Sequence, residues 1–246
     1  MSVQKTVKYT FVQMIQLHLK NHLTMRLLLI IGLLCPILLF GQKTKTSEQS
    51  FAIPTSKTAN MNLKFARNIK ITNWNKNEIV LKTTFKYSED DFEQWYDQKV
   101  DKSGGTLAIE TGFKNMDSKS KKEHNCWSCE NTNQDCYCLE FSYEIFAPSN
   151  VVLDVKTISG DIEIPNWQGG IKAKSISGFI DLALSSKSRK DLNVKSVTGE
   201  IYTDLESVKL DDKSTSYSKK INTSLNGGGN LVQLQTVSGD IFLRKQ

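Results

Sequence analysis

The feature that most constrains this chain is a repeat of about 20 residues that fills residues 151–246. Each copy has a hydroxyl residue, a glycine and usually an acid, followed by isoleucine two positions after the glycine. The glycines are Gly160, Gly178, Gly199 and Gly239, and a degenerate copy centred on Lys219 fills the longest gap, giving spacings of 18, 21, 20 and 20. A period of this length is typical of solenoids, in which each copy forms one layer.

The copies agree column by column when they are aligned on these centres. Two positions after each centre stands an isoleucine: Ile162, Ile180, Ile201, Ile221 and Ile241. Hydroxyl residues precede each centre by one position (Ser159, Ser177, Thr198, Ser218 and Ser238) and by three (Thr157, Ser175, Ser196, Ser216 and Thr236). The pattern predicts a stack of rungs, each made of a strand, a glycine corner and a second strand.

Successive rungs about 4.8 Å apart would bury the five isoleucines in a single column. The hydroxyl columns are small enough for a tight corner and can bond to the backbone or to one another. Glycine would allow the positive φ that such a corner needs. Lys219 breaks this rule, so we expect the fourth rung to be distorted at its corner.

The repeat pattern continues faintly upstream of residue 151. The segment Ile69–Trp74 parallels Ile162–Trp167, and Leu63 and Phe65 begin the period-two alternation of a strand. We therefore expect the solenoid to begin near residue 60, with a short helix at 89–101 and a cysteine-bearing hairpin loop at 114–134 as insertions. The predicted fold class is all-β, a β-solenoid-like stack of rungs of about 20 residues.

The first 41 residues resemble an export signal. The run from Leu27 to Phe40 is apolar and uncharged, too short for a spanning helix of about 20 residues but suited to the core of a secretory signal peptide. Arg26 precedes it and Gly41 offers a cleavage position. An uncleaved segment that associates the chain with the membrane is the alternative, whereas Leu34 before Cys35 argues against a lipoprotein.

These features divide the chain into four parts. Residues 1–24 are predicted to be an N-terminal extension, because Met25 opens a signal peptide unaided, and 25–41 are the signal peptide. Residues 42–58 are polar and predicted to be a flexible leader. Residues 59–246 are predicted to form a single β-repeat domain.

The charge balance argues against nucleic acid as a partner. Four of the 32 basic residues and none of the 26 acidic ones lie in residues 1–41, so the remaining 28 basic residues leave a net charge of only about +2.

The expected location is outside the cytoplasm, in the periplasm, the outer membrane or at the cell surface.

The repeat resembles a bacterial putative-adhesin domain family of unknown function. The resemblance rests on the SGDI-type copies Ser159–Ile162 and Ser238–Ile241, the variants Ser177–Ile180 and Thr198–Ile201, and the segment ITNWNKNEI at 71–79. It covers most of residues 60–246 and implies a β-solenoid-like stack in envelope proteins. No catalytic residues come with it, and the Lys219 copy departs from the pattern.

Four cysteines cluster beside the predicted loop: Cys126, Cys129, Cys136 and Cys138. In an exported chain, an even number of cysteines favours disulfides, and the nested pairs Cys129–Cys136 and Cys126–Cys138 are preferred among three connectivities. Four thiolates binding zinc, and redox chemistry, are the alternatives. No cofactor is predicted.

Candidates for catalysis are few. The acids after the corners, Asp161, Glu200 and Asp240, could bind calcium or act on carbohydrate, but acids at turns usually accept bonds from backbone N–H groups. After residue 41 only one histidine remains, His124, and no common catalytic motif occurs. We expect a non-catalytic adhesin, scaffold or envelope-signalling accessory whose partner is an envelope protein or glycan. The alternative is a polysaccharide-binding or polysaccharide-acting β-helix protein, for which Asp181 and Asp204 stand in mismatched columns.

Overall fold

Two eight-stranded sheets form the described part of the chain. The computed structural model describes residues 43–87, 92–114, 139–209, 211, 214, 215 and 218–246, all within one compact unit, Gln42–Gln246. The strands are β1 (Lys43–Ala52), β2 (Thr58–Leu63), β3 (Ala66–Trp74), β4 (Glu78–Tyr87), β5 (Tyr96–Asp101), β6 (Leu107–Phe113), β7 (Leu139–Pro148), β8 (Val152–Lys156), β9 (Asp161–Asn166), β10 (Ile171–Ser175), β11 (Ile180–Leu184), β12 (Lys190–Ser196), β13 (Ile201–Thr203), β14 (Lys219–Leu225), β15 (Asn230–Thr236) and β16 (Ile241–Lys245).

The first sheet, sheet A, has the order β1-β4-β7-β3-β9-β11-β16-β13, and sheet B has the order β14-β12-β15-β10-β8-β2-β6-β5. A rung is one strand of sheet B, a corner, and the next strand of sheet A. The repeat supplies the rungs β8/β9, β10/β11, β12/β13 and β15/β16, and β2/β3 forms a further rung before them. The predicted all-β, solenoid-like stack is therefore confirmed.

The rungs do not follow one another in chain order. Strands β15 and β16, the last in the chain, lie between the rungs β10/β11 and β12/β13. The isoleucine column consequently runs Ile69, Ile162, Ile180, Ile241, Ile201, each residue in register with the next. The expectation of sequential stacking is wrong, because matching columns do not specify which rungs are neighbours.

The fourth copy forms no rung at all. Strand β14 runs antiparallel along the outer edge of β12, where Ile221 lies opposite Val194 in sheet B instead of joining the isoleucine column. At the corners of the true rungs, a Cβ would lie only 2.0–2.6 Å from the neighbouring backbone. Lysine at position 219 is incompatible with such a corner, so the expected distorted rung is replaced by an edge strand.

Two further expectations are wrong. The leader predicted at 42–58 contains β1, a strand that pairs antiparallel with β4 and buries Phe51. The helix predicted at 89–101 is replaced in the described residues by a 3₁₀ turn, Phe92–Trp95, followed by β5. Pairing with the open edge of β6 outweighs the helical spacing of the apolar residues, because strand propensity depends strongly on context.

The core lies between the two sheets, where alternate side chains of each strand point inward. Its largest fully buried side chains are aromatic and aliphatic residues from both the rungs and the upstream strands, among them Trp167, Tyr143, Phe141 and Met61. Phe65 lies outside it, in a turn with a φ of 58°. In the part of the chain described above, no helix has the length and apolar character needed to span a membrane.

The inserted order predicts slow amide exchange near the C-terminus. Strands β15 and β16 each have neighbours on both sides, whereas β13 and β14 lie at the ends of their sheets, so opening the last rung requires breaking four ladders, two for each strand. In hydrogen–deuterium exchange by mass spectrometry, peptides from 230–245 should be protected far more than peptides from 201–203 and 219–225. Equal exchange in these segments would contradict the inserted order.

Candidate functional site

At three of the four corners, the hydroxyl three positions before the glycine connects adjacent rungs. Ser175 Oγ accepts a hydrogen bond from Gly178 N at 2.9 Å and donates one to Gly160 O at 3.0 Å. The same arrangement recurs at Ser196, with Gly199 and Gly239, and at Thr236, with Gly239 and Gly178. These bonds form a continuous ladder, defined here as the corner ladder, that follows the spatial order of the rungs.

The corner glycines are required by close approach and not by positive φ. A Cβ on Gly178 would lie 2.0 Å from Gly160 O, and one on Gly199 or Gly239 would lie 2.1 Å from the next corner's carbonyl oxygen. None of the four corner glycines has a positive φ. The positive-φ rationale is therefore wrong, and the absent side chain is what lets the backbones stack.

The acids after the corners have structural partners. Asp161 Oδ1 accepts a bond from Phe179 N at 3.1 Å, and Asp240 Oδ1 accepts one from Glu200 N at 2.8 Å. The inserted rung places Asp240 and Glu200 on neighbouring rungs. Glu200 lies 3.7 Å from Lys219 Nζ, and each of these acids is thus accounted for by the fold.

The two acids that a carbohydrate-acting enzyme would use are also engaged. Both carboxylate oxygens of Asp181 accept bonds from Arg244. Asp204 Oδ1 accepts a bond from Lys245 N at 2.5 Å. Asp181 lies opposite Phe242 on β16, whereas Asp204 follows β13 beyond the pairing of Thr203 with Leu243. The two acids therefore occupy different rows of sheet A.

A buried lysine, which the sequence analysis did not single out, lies at the end of the rungs opposite the glycine corners. Lys190 is only 3% exposed, and its Nζ donates to Gln168 O at 2.6 Å and Gly169 O at 2.8 Å. Burial lowers the pKa of its amino group to about 8. Because its partners are backbone carbonyls of a turn, Lys190 holds two rung ends together. A lysine in an inward-facing column was the only signal in the sequence.

An open cleft lies beside this end of the stack, in the turns that follow β3 and β7. Its volume is about 690 Å³, and its lining is rich in amides: Asn73, Asn75, Asn77, Asn150 and Gln168, with Trp74 and Lys76. Trp74 Nε1 donates to Glu78 O at 2.9 Å, and Lys76 Nζ lies 4.8 Å from the ring centroid. We name this the amide cleft, and its side chains suit hydroxyl-rich ligands.

An aromatic cluster lies on the outer face of sheet A. Phe242 stacks on Tyr202 with centroids 5.2 Å apart and an interplanar angle of 13°, and its edge faces Phe179. Tyr202 is 51% exposed. The cluster is the second surface of this part of the chain that could contact a sugar ring.

The predicted cysteine site lies outside the described residues. Cys126, Cys129, Cys136 and Cys138 fall in 115–138, so their pairing stays a prediction. Among the residues that the structure does describe, no group of three or more histidines, cysteines or acids is arranged to hold a metal ion.

A comparison with known protein families covers nearly all of the described part of the chain. The family model described as Toastrack DUF4097 matches residues 43–244. A comparison with curated proteins finds no match.

Among solved structures, a putative cell adhesion protein from Clostridium sporogenes ATCC 15579 has 12% identity and a TM-score of 0.48 and covers 83% of this chain and 100% of its own. A putative lipid binding protein from Parabacteroides distasonis ATCC 8503 has 11% identity, a TM-score of 0.28, and coverage of 83% and 97%. A putative adhesin from the same organism has 7% identity, a TM-score of 0.28, and coverage of 83% and 98%.

The close approach of the corners predicts that Gly178→Ala is destabilising. The new methyl group would meet Gly160 O, and overpacking of this kind costs about 1–3 kcal/mol. Urea unfolding followed by circular dichroism measures the loss. Gly112→Ala is the matched control, since its Cβ would have no neighbour nearer than 3.9 Å, and equal losses in the two variants would contradict the steric explanation.

The lowered pKa of Lys190 predicts a pH-dependent stability. Between about pH 8, its pKa in the folded chain, and about pH 10.4, its ordinary value, the unfolded chain binds more protons than the folded one, so this residue makes stability rise with pH. The free energy of unfolding of the natural chain should therefore rise relative to Lys190→Met between pH 7 and 10. The exposed Lys187→Met is the control, and a constant difference between Lys190→Met and the natural chain would contradict the prediction.

Proposed function

The chain belongs to the Toastrack DUF4097 family, and on this basis we propose that it is a non-catalytic, exported protein of the cell envelope that acts by binding. In this role the stack is a rigid support, and its outer faces and turns contact an envelope protein or a glycan. Adhesion, scaffolding and accessory signalling are the forms that such binding takes.

One observation carries the proposal: the carboxylates that could serve chemistry instead hold the rungs together. Asp161 and Asp240 bind backbone N–H groups of the next rung, and Asp181 is bound by Arg244. A general acid or base must be free to reach a substrate proton, and these groups are occupied. The amide cleft is open to solvent, which suits recognition better than catalysis.

Export is supported by the sequence of residues 25–41. The uncharged apolar run from Leu27 to Phe40, preceded by Arg26, has the length and flank of a secretory signal peptide. An envelope location follows if this segment directs export.

The second candidate function is binding of a polysaccharide, and the amide cleft favours it. Amide groups both donate and accept hydrogen bonds, as sugar hydroxyls do, and Trp74 lies among them. The alternative that the protein also acts on the polysaccharide as an enzyme is disfavoured, because the candidate carboxylates already have structural partners.

Two measurements test the proposal. The full chain, expressed in a bacterial host and followed by cell fractionation, should appear in the envelope or outside the cell. The purified protein should bind on an array of envelope glycans or in pull-down with envelope proteins, without cleaving any glycan in hydrolase and lyase assays. Retention in the cytoplasm or turnover of a glycan would overturn it.

A further inference from the structure

The outer face of sheet B carries like charges in register. Lys156 lies opposite Lys174, and Lys195 lies opposite Lys220, with Gln235 between the two pairs. We define these four lysines as the lysine row. It crosses five neighbouring strands, β8, β10, β15, β12 and β14, at a spacing of about 4.8 Å per strand.

The lysine row is poorly neutralised by the protein itself. Lys156 Nζ lies 3.5 Å from Asp154, but within the described residues no ion pair joins Lys174, Lys195 or Lys220 to a carboxylate. Like charges directly opposite one another in a sheet are destabilising. The row therefore bears an electrostatic cost that an external anion would relieve.

The outer face of sheet A shows the opposite arrangement. There Glu144 lies between Lys82 and Lys70, and Lys70 lies opposite Glu163, so charges alternate across these four strands. The alternation ends at β11, where Asp181 lies opposite Glu163 and is bound by Arg244. Lys82 Nζ is 3.3 Å from Glu144. Where like charges meet on sheet A, at Glu163 and Asp181, Arg244 binds one of them. Within the described strands, the lysine row differs in having no such partner for Lys174, Lys195 or Lys220.

Amide side chains accompany the lysines. Beside the row, and also outward, lie Asn222, Asn193 and Gln233, opposite one another on β14, β12 and β15. This second row continues with Lys172 on β10 and ends in an acid, Asp154, on β8. The face continues past Lys156 into a depression of about 310 Å³, where Asn60 and Asn62 lie beside the carboxylates Asp101, Glu110 and Asp154, so the cationic part of the face ends at Lys156. Cations and amides in adjacent rows supply partners for anionic groups and for hydroxyl groups together.

We propose that the outer face of sheet B binds a linear acidic polysaccharide along the stack, with its anionic groups on the lysine row and its hydroxyls on the adjacent amides. This rests on the proposed binding function and names the class of ligand. A linear polyanion matches a single straight row of cations, and the amides favour a glycan over an anionic membrane surface, which offers no hydroxyl-bearing chain to that second row.

Oligogalacturonates of defined length, titrated into the full chain by isothermal calorimetry at low salt, test the proposal. Replacing Lys174, Lys195 and Lys220 together by Gln should weaken binding about tenfold, because each exposed ion pair contributes only modestly. The variant should also depend less steeply on salt, since fewer counterions are released. A neutral malto-oligosaccharide of equal length should bind at least tenfold more weakly than the oligogalacturonate.

The matched control removes the same charge from the other face. Lys70, Lys82 and Lys86 on sheet A, replaced together by Gln, should leave binding within about twofold, because sheet B is untouched. Circular dichroism and the unfolding midpoint of both triple variants establish that each is folded. If the lysine-row variant alone fails to fold, the single changes Lys174→Gln and Lys195→Gln carry the test.

Four outcomes would overturn the proposal: equal weakening by the two triple variants, unchanged binding in the lysine-row variant, equal binding of the neutral oligosaccharide, or no binding of the oligogalacturonate. Tighter binding to phosphatidylglycerol vesicles with the same sensitivity to the lysine row would also overturn it, in favour of a membrane surface. Loss of binding in Asn75→Ala/Asn77→Ala or in Tyr202→Ala, with the lysine row without effect, would keep the proposed binding function and assign it to the amide cleft or the aromatic cluster instead.

Discussion

The structure depends on the in-register stacking of the glycine corners. Each hydroxyl of the corner ladder accepts a bond from the glycine N–H of its own rung and donates one to the glycine carbonyl of the neighbouring rung, as Ser175 does between Gly178 and Gly160. These bonds satisfy backbone groups that would otherwise be buried without partners. They also bring the backbones so close that a side chain on the corner residue would collide with the next rung.

Strict registration at the corners also fixes which side chains of neighbouring strands lie next to one another along the rest of each rung. Inside, it places Ile162, Ile180, Ile241 and Ile201 in contact along one column, so that apolar burial continues from rung to rung. Outside, it places equivalent polar residues side by side with equal regularity. The same geometry that builds the core therefore builds linear arrays on the surface, whose chemistry depends only on which residues the rungs carry.

The two outer faces show how different these arrays can be. Sheet A alternates acids and bases from β4 to β9, and where Asp181 lies opposite Glu163, Arg244 binds Asp181. Sheet B repeats lysine across its strands and leaves the charge to solvent or to a ligand. A stack of this kind can hold a structural role on one face and a recognition role on the other, without a deep pocket, because recognition of a linear ligand needs a row of groups and not an enclosure.

The sequence by itself determined the all-β class, the period of the rungs, the corner glycines and the identity of the buried columns, because each of these follows from residues that recur at fixed spacing. The sequence also indicated three of the four members of the lysine row, since Lys156, Lys174 and Lys195 all stand four positions before a corner glycine. Only the tertiary structure decided the order of the rungs, the position of Ile221 in an edge strand instead of the isoleucine column, and the pairing of Lys195 with Lys220. Matching columns do not specify which rungs are neighbours, so the local sequence pattern cannot determine their order. The order of the rungs depends on pairing between strand edges that are distant in sequence. This order in turn determines which like charges lie opposite one another.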